Sequence, residues 1–242
     1  YNGFNASFNE ALNGAFATFQ SANISELVID LRYNGGGSVQ TAAYMGSMVT
    51  GQFTGEVFSK LLYSETLQDN NRDFLFTTTI EGNGAINNLN LSRVYVLTTN
   101  RRTASASELV INSLKPYINV TVIGENTVGK TQASITIYDS PSFQFENVNP
   151  SHTYAMLPLV ANSVNVNDEV VPSDGITPDI ALGEIPFNLG TLGDVNEPLL
   201  AAAIANITGM GRFFSELQTL DPIKPIKTDL SIHPLEQDMY ID

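Results

Sequence analysis

Residues 27–37 read LVIDLRYNGGG, an apolar run that passes directly into three consecutive glycines. Leu27, Val28 and Ile29 predict a short buried strand, because such runs fill both faces of a covered sheet. The glycines at 35–37 predict a tight turn, since glycine adopts positive φ and permits close backbone approach. A helix is predicted from about Ser38. The stretch therefore reads as a strand, a glycine turn and a helix in succession.

The same order of elements returns further along the chain. Buried strands are predicted at 94–98 and 120–123, with a helix over 109–114 between them. Apolar residues from Phe4 to Phe19 recur at helical spacing and predict an amphipathic helix near the start. Alternating strands and helices predict an α/β fold with a largely buried sheet. We expect one domain over residues 1–212 and a proline-rich tail over 213–242.

Composition excludes several functions. The formal net charge is -14, which disfavours binding to nucleic acid phosphates. The chain has no cysteine, so disulfides, thiolate metal sites and cysteine nucleophiles are excluded. Its two histidines, His152 and His233, make a multi-histidine metal site improbable. A Ser–His triad that uses His152 is a minor alternative, and His233 is a weaker candidate still.

The glycine turn has a chemical and a structural interpretation. Backbone N–H groups beside such a turn and at the start of the next helix can hold an anion, including the oxygen of a tetrahedral intermediate. The structural alternative is a tight turn with no ligand. The glycine spacing matches neither a dinucleotide fingerprint nor a phosphate-binding P-loop.

The segment TASASE at 103–108 lies where a strand gives way to a helix. A serine at such a junction can be a nucleophile whose following N–H stabilises an oxyanion. Alternatively, Thr103 or Ser105 caps the helix with Glu108 as the partner glutamate. The local pattern alone favours the cap.

The segment GENTVGKT at 124–131 has the spacing of a phosphate loop, but the formal net charge of -14 disfavours phosphate binding by this chain. Lys130 is either a solvated surface charge or a base. A lysine acts as a base near neutral pH only where its surroundings lower its pKa from about 10.4.

Taken in order, these three segments and GITPDI at 175–180 resemble the S41 family of peptidases, the C-terminal processing or tail-specific proteases. The resemblance covers most of residues 24–182. It implies a ClpP/crotonase-like spiral core of mostly buried β-sheet with flanking helices. The asparagine- and threonine-rich style most resembles exported members from Bacteroidetes, many of them lipoproteins, which implies a periplasmic or cell-envelope location.

The resemblance also implies roles for individual residues. In that family the nucleophile is the first serine of Ala-Ser-Ala-Ser-Glu, and a lysine 25 positions later is the general base. Ser105 and Lys130 satisfy that spacing. The oxyanion hole would use the N–H of Ala106 and one from the glycine turn, Gly36 or Gly37.

The supporting residues depart from the family pattern. Many members have a glutamine four positions after the lysine, where this chain has Ser134. Gln132 or Ser134 takes over the role of orienting Lys130, or the dyad acts alone. Some members have an aspartate eleven positions after the nucleophile, where this chain has Pro116. Ser107 is a weaker nucleophile candidate, because its spacing to the lysine does not fit.

The resemblance implies a serine endopeptidase that cleaves polypeptides near their C-termini through an acyl-enzyme, with no cofactor or metal. The chain begins at Tyr1 without a methionine, so we expect a mature or trimmed form. It also lacks an evident PDZ-like domain. One alternative is a non-catalytic peptide- or ligand-binding module on an S41-like scaffold. Another is a crotonase-like acyl-CoA enzyme, which the acidic charge disfavours.

Overall fold

The computed structural model describes residues 1–82, 84–185 and 187–209, together with the backbone of 239–240. Two short 3-10 helices cover Ala6–Phe8 and Glu65–Asn70. The α-helices within these described ranges are α1 (Asn9–Ser21), α2 (Val39–Thr50), α3 (Ala106–Leu114) and α4 (Pro198–Ile207). The strands are β1 (Val28–Asp30), β2 (Val57–Tyr63), β3 (Arg72–Leu75), β4 (Thr79–Ile80), β5 (Gly84–Ala85), β6 (Arg93–Thr98), β7 (Asn119–Gly124), β8 (Gln132–Ser134), β9 (Ile137–Tyr138), β10 (Ala155–Met156), β11 (Leu159–Val164), β12 (Ile180–Ala181) and β13 (Met239–Tyr240).

The strand that contains Val28 and Ile29 forms one edge of a parallel sheet with the order β1–β6–β7–β12. Side chains of β6 alternate between two hydrophobic clusters. Val94 and Val96 belong to the main core, whereas Tyr95 and Leu97 pack with α4. Both faces of the sheet are thus covered, as the uninterrupted apolar runs predict.

A second sheet with the order β13–β8–β11–β2–β3 lies beyond α3. Helix α3 contacts β7 of the parallel sheet and β2 and β11 of the second sheet. All but one of its residues are buried, and the same holds for α2. Helices buried on every side carry little polarity, which explains the apolar and small residues of both. The start of α3 is therefore fixed from several directions.

One prediction needs correction in this region. The predicted N-terminal helix is present as α1, but Phe4 lies outside it. The backbone of Phe4 instead bridges to the glycine turn, with its N–H donating to Gly36 O at 2.8 Å and its carbonyl accepting from Ser38 N at 2.7 Å. Helical spacing misassigned Phe4 because an isolated apolar residue fits more than one period. Most of the predicted tail over 213–242 lies outside the described residues.

The predicted α/β fold with a mostly buried sheet and flanking helices is confirmed, and the structure shows that the central sheet is parallel. Within the described part of the chain, no helix is both long enough and apolar enough to cross a membrane.

Candidate active site

Three loops meet at the carboxyl ends of the parallel strands, where open α/β sheets commonly bind ligands. They follow β1, β6 and β7. Thr103 ties them together, because its Oγ1 donates to Leu31 O at 2.9 Å and its carbonyl accepts from Val128 N at 3.0 Å. The glycine turn, the serine segment and the lysine loop are consequently neighbours, although the sequence separates them.

Ser105 stands immediately before α3 with φ 63° and ψ -119°. A positive φ is uncommon for a residue with a side chain and marks local strain. The residue is fully buried, and its Oγ makes no hydrogen bond within the described part of the chain. Buried hydroxyls are normally paired. The buried hydroxyls of Ser59, Ser113 and Ser163 also have no partner in the described part of the chain, so Ser105 is distinguished by its positive φ and its place at a helix N-terminus together with its unpaired hydroxyl.

The glycine turn abuts Ser105 directly. A Cβ placed on Gly36 would lie 2.6 Å from Ser105 Cβ and 2.9 Å from its Oγ. Gly36 and Gly37 have φ of +105° and +131°, so both positions also need glycine for conformational reasons. The turn therefore brings backbone close to the serine hydroxyl.

Asn34 organises the surroundings of that turn. Its Oδ1 accepts from Gly36 N at 2.9 Å, while its backbone carbonyl accepts from Ala104 N at 3.1 Å and Ser107 Oγ at 3.0 Å. The hydroxyl of Ser107 and the N–H of Gly36 are thus already engaged. Among the described residues, neither Gly37 N–H nor Ala106 N–H donates a hydrogen bond.

Glu108 joins the serine segment to the lysine loop. Its Oε2 accepts from Ser105 N at 2.7 Å and from Lys130 N at 2.9 Å. Its Oε1 accepts from Gly129 N at 2.6 Å and from the hydroxyl of Thr127. The carboxylate is fully buried, and four donors satisfy it. Glu108 does meet the Ser105 N–H as the helix-cap prediction required, but it also holds Lys130, which the local pattern did not reveal.

Lys130 lies in the loop between β7 and β8, two residues before β8 begins, and is half-buried. Burial lowers the pKa of its ammonium group below the usual lysine value, because desolvation disfavours the charged form. A larger fraction of the amine is neutral at a given pH than in a solvated lysine. This is the direction that a general base requires.

The other candidates are placed as follows. Gln132 is exposed at the start of β8, whereas Ser134 is buried at its end. Pro116 lies in the turn beyond the carboxyl end of α3, the opposite end from Ser105. Nine helical residues span about 14 Å, so position 116 is remote from the serine.

His152 is committed to a contact in its own loop. Its Nδ1 accepts from Tyr154 N, and its Nε2 pairs with Asp139 Oδ2, each at 3.1 Å. Hydrogen bonds from Asn149 and His152 lower the pKa of Asp139. With both ring nitrogens engaged, His152 is not available as the base of a Ser–His triad in this structure. His233 lies outside the described residues.

A charged cluster fixes the segment that enters the glycine turn. Arg32 is buried and forms ion pairs with Asp30 at 2.7 Å, Glu197 at 2.8 Å and Glu184 at 3.0 Å. Burial opposes its charge, but hydrogen bonds and attraction from Asp30 and Glu197 outweigh that effect and raise its pKa. Burial and a hydrogen bond to Glu184 raise the pKa of Tyr33 to about 12.

Asp30 and Arg32 lie two positions apart and pair with each other, so they brace the segment that enters the turn. No local sequence pattern indicates the contacts with Glu184 and Glu197, which lie more than 150 positions away.

These features place the chain among α/β proteins in which a glycine turn faces a serine at a helix N-terminus. A model of Peptidase family S41 matches residues 1–182, and the chain belongs to that family. The resemblance drawn from the four motifs is confirmed.

Solved structures agree with this assignment. A Bacteroides fragilis NCTC 9343 protein assigned to the S41 proteases is 33% identical with a TM-score of 0.77, and the match covers 87% of this chain and 53% of that one. This chain thus spans about half the length of that relative.

The photosystem II D1 C-terminal processing protease is 22% identical over 81% of this chain and 43% of its own, with a TM-score of 0.54. A lipoprotein from Streptococcus agalactiae is 15% identical over 85% and 62%, with a TM-score of 0.56. At these identities the similarity shows the fold alone. No protein of curated function matched the sequence.

Proposed function

We propose that this chain is the catalytic core of a serine peptidase in which Ser105 is the nucleophile and Lys130 the general base. One observation carries the proposal. Ser105 is strained and buried with an unpaired hydroxyl, while its backbone N–H and that of Lys130 share a single oxygen of Glu108. The backbones of the proposed nucleophile and the proposed base are therefore held by one carboxylate, which supports their assignment as a pair.

In the first half of the reaction, neutral Lys130 takes the hydroxyl proton as Ser105 Oγ bonds to the carbonyl carbon of the scissile peptide. The tetrahedral intermediate collapses when its C–N bond breaks and Lys130 returns the proton to the leaving amine. In the second half, Lys130 takes a proton from water, which attacks the acyl-enzyme. The carboxylic acid product then leaves, and Ser105 recovers its proton.

For the oxyanion hole we propose the N–H groups of Ala106 and Gly37. Both are unengaged among the described residues, and Gly37 follows the glycine that touches Ser105. Gly36 is the weaker of the two glycines, because its N–H already donates to Asn34. A well-aimed donor stabilises the transition state by about 3 kcal/mol.

For the positioning of Lys130 we propose Glu108 in place of a glutamine side chain. Glu108 holds the lysine backbone directly, whereas Gln132 is exposed. Burial lowers the pKa of Lys130, and this direction supports its role as a base. Cleavage near substrate C-termini and a location in the cell envelope remain predictions from the family resemblance.

The proposal is tested with Ser105→Ala and Lys130→Ala and two matched controls at exposed positions, Ser21→Ala and Lys115→Ala. Each purified variant is incubated with fluorescently labelled casein, and the products are mapped by mass spectrometry. We expect both site variants to lose cleavage while melting like the parent, and both controls to retain it. Unchanged cleavage by either site variant would refute the assignment. Folded parent protein without any cleavage or serine labelling would favour a binding module instead.

A further inference from the structure

The outer edge of β8 is occupied by a distant segment of the same chain. On its inner side, β8 pairs antiparallel with β11. On its outer side, it pairs in parallel with residues 239–240, with Met239 opposite Ala133 and Tyr240 opposite Ser134. This edge therefore accepts an extended backbone as an added strand.

The position of that edge relative to Lys130 matters for substrate binding. β8 begins two residues after Lys130. A strand rises about 3.3 Å per residue, so the paired positions lie roughly 10–13 Å along the chain from the lysine. A peptide lying on this edge would extend toward the dyad over the length of a few residues. Exposed strand edges bind extended peptides through main-chain hydrogen bonds, which is how strand addition achieves affinity with little dependence on side chains.

A hairpin continues from the same strand. β8 leads into β9, which pairs with β10, and β10 returns through β11. We call residues 137–159 the arm. It carries five large apolar side chains, each at least 60% exposed: Phe143, Phe145, Tyr154, Met156 and Leu159. Such a concentration of exposed apolar surface is typical of a binding site.

We propose that the outer edge of β8 and the arm dock an extended, apolar polypeptide substrate, and that residues 239–240 are a resident strand that this substrate displaces. This inference rests on the proposed peptidase function, because the docked peptide is a substrate only if the chain is a peptidase. The acidic charge of the chain, -14, disfavours acidic peptides, so the preferred partner is apolar and not acidic. A resident strand of two residues is short enough to exchange with a longer peptide.

Hydrogen exchange on the Ser105→Ala variant tests displacement without turnover. The probes are a twelve-residue peptide rich in leucine and phenylalanine and a matched peptide in which acidic residues replace half of the apolar ones. With the apolar peptide we expect faster exchange at 239–240 and retained protection at 132–134. Unchanged exchange at 239–240 under saturating peptide would overturn the proposal.

A second test uses the backbone of the resident strand. Proline has no N–H and disrupts strand pairing, so we compare Met239→Pro/Tyr240→Pro with Met239→Ala/Tyr240→Ala. We expect the proline pair to lower KM for labelled casein about threefold or more, with kcat and the rate of fluorophosphonate labelling unchanged. The alanine pair should behave like the parent. Equal KM values in both pairs would contradict the proposal.

The arm is tested by Phe145→Ser/Tyr154→Ser, with Phe8→Ser as a control at an exposed position outside it. We expect KM to rise about threefold or more in the arm variant only. The failure of each idea has its own signature. If fluorophosphonate labels Ser105 but the peptide does not bind the β8 edge, the docking proposal fails and the peptidase proposal stands. If peptide binding displaces 239–240 but fluorophosphonate does not label Ser105, the peptidase proposal fails and the docking proposal stands.

Discussion

Replacement of Glu108 by glutamine alters a carboxylate that touches both halves of the proposed dyad. Each oxygen of Glu108 accepts two hydrogen bonds, and the side chain is fully buried. Glutamine would keep two acceptor contacts with its carbonyl and would turn an NH2 group toward the remaining donors. The best arrangement keeps Ser105 N and Lys130 N on the oxygen and leaves Gly129 N facing another donor.

The size of the effect follows from those contacts. Hydrogen bonds to charged groups contribute about 1.5–3 kcal/mol each, and a buried donor left unpaired costs a similar amount. We therefore expect Glu108→Gln to lower the free energy of unfolding by roughly 3 kcal/mol, which for a chain of this size lowers Tm by about 6–12 °C. A shift of the lysine by about 1 Å would lower the rate about 100-fold.

Two assays separate positioning from stability. Chemical unfolding measures the loss of stability, and kcat, KM and the fluorophosphonate labelling rate are measured well below Tm. We expect kcat and the labelling rate to fall together with little change in KM. Glu81→Gln is the matched control, because Glu81 is exposed. If glutamine prevents folding, Thr127→Val is the second variant. It removes one donor to the same carboxylate and the acceptor of the Ile176 N–H, but it keeps the contacts of Glu108 with Ser105 N and Lys130 N.

A specific result would refute this reasoning. If Glu108→Gln loses stability as expected but is labelled at the parental rate, Glu108 is a helix cap with no positioning role. The pH profile gives a further readout, because removing the carboxylate charge favours neutral Lys130. The rising limb of kcat/KM should therefore shift to lower pH in the variant.

Three further predictions concern the glycine turn, Ser107 and the pKa of Lys130. Gly36→Ala should abolish labelling and destabilise the fold, because its Cβ would lie 2.6 Å from Ser105 Cβ at a φ of +105°; parental labelling would contradict this. Ser107→Ala should remove a hydrogen bond to Asn34 O, lower stability by about 1 kcal/mol and keep activity within tenfold; abolished labelling would point to Ser107 as nucleophile. In the parent, kcat/KM should rise with pH as Lys130 loses its proton and level off below the usual lysine pKa of about 10.4; a limb at or above that value would exclude the lowered pKa.

Local pattern was enough to predict the elements around the site. The apolar runs at 27–29 and 94–98 predict strands, because strands covered on both faces need such runs, and the structure has β1 and β6 there. The three glycines gave a turn with positive φ, which the structure shows at Gly36 and Gly37. The family could be inferred because four short motifs occurred in the right order.

The contacts that hold the site together could not be predicted from local pattern. Arg32 forms ion pairs with Glu184 and Glu197, and no residue near Arg32 in sequence indicates these partners. The position of Glu108 in sequence fits an ordinary helix cap. Its contacts with Gly129 N and Lys130 N form only because the loop after β7 packs against the start of α3. These interactions depend on the tertiary arrangement, since they join residues far apart along the chain.

The most direct test of the central claim is the site and rate of covalent labelling by a fluorophosphonate, followed by intact-mass and peptide mass spectrometry. The proposed dyad predicts one adduct on Ser105, with a rate that rises with pH in the parent and falls to background in Lys130→Ala. An adduct on another serine, or an unchanged rate in Lys130→Ala, would contradict the claim that Lys130 activates Ser105.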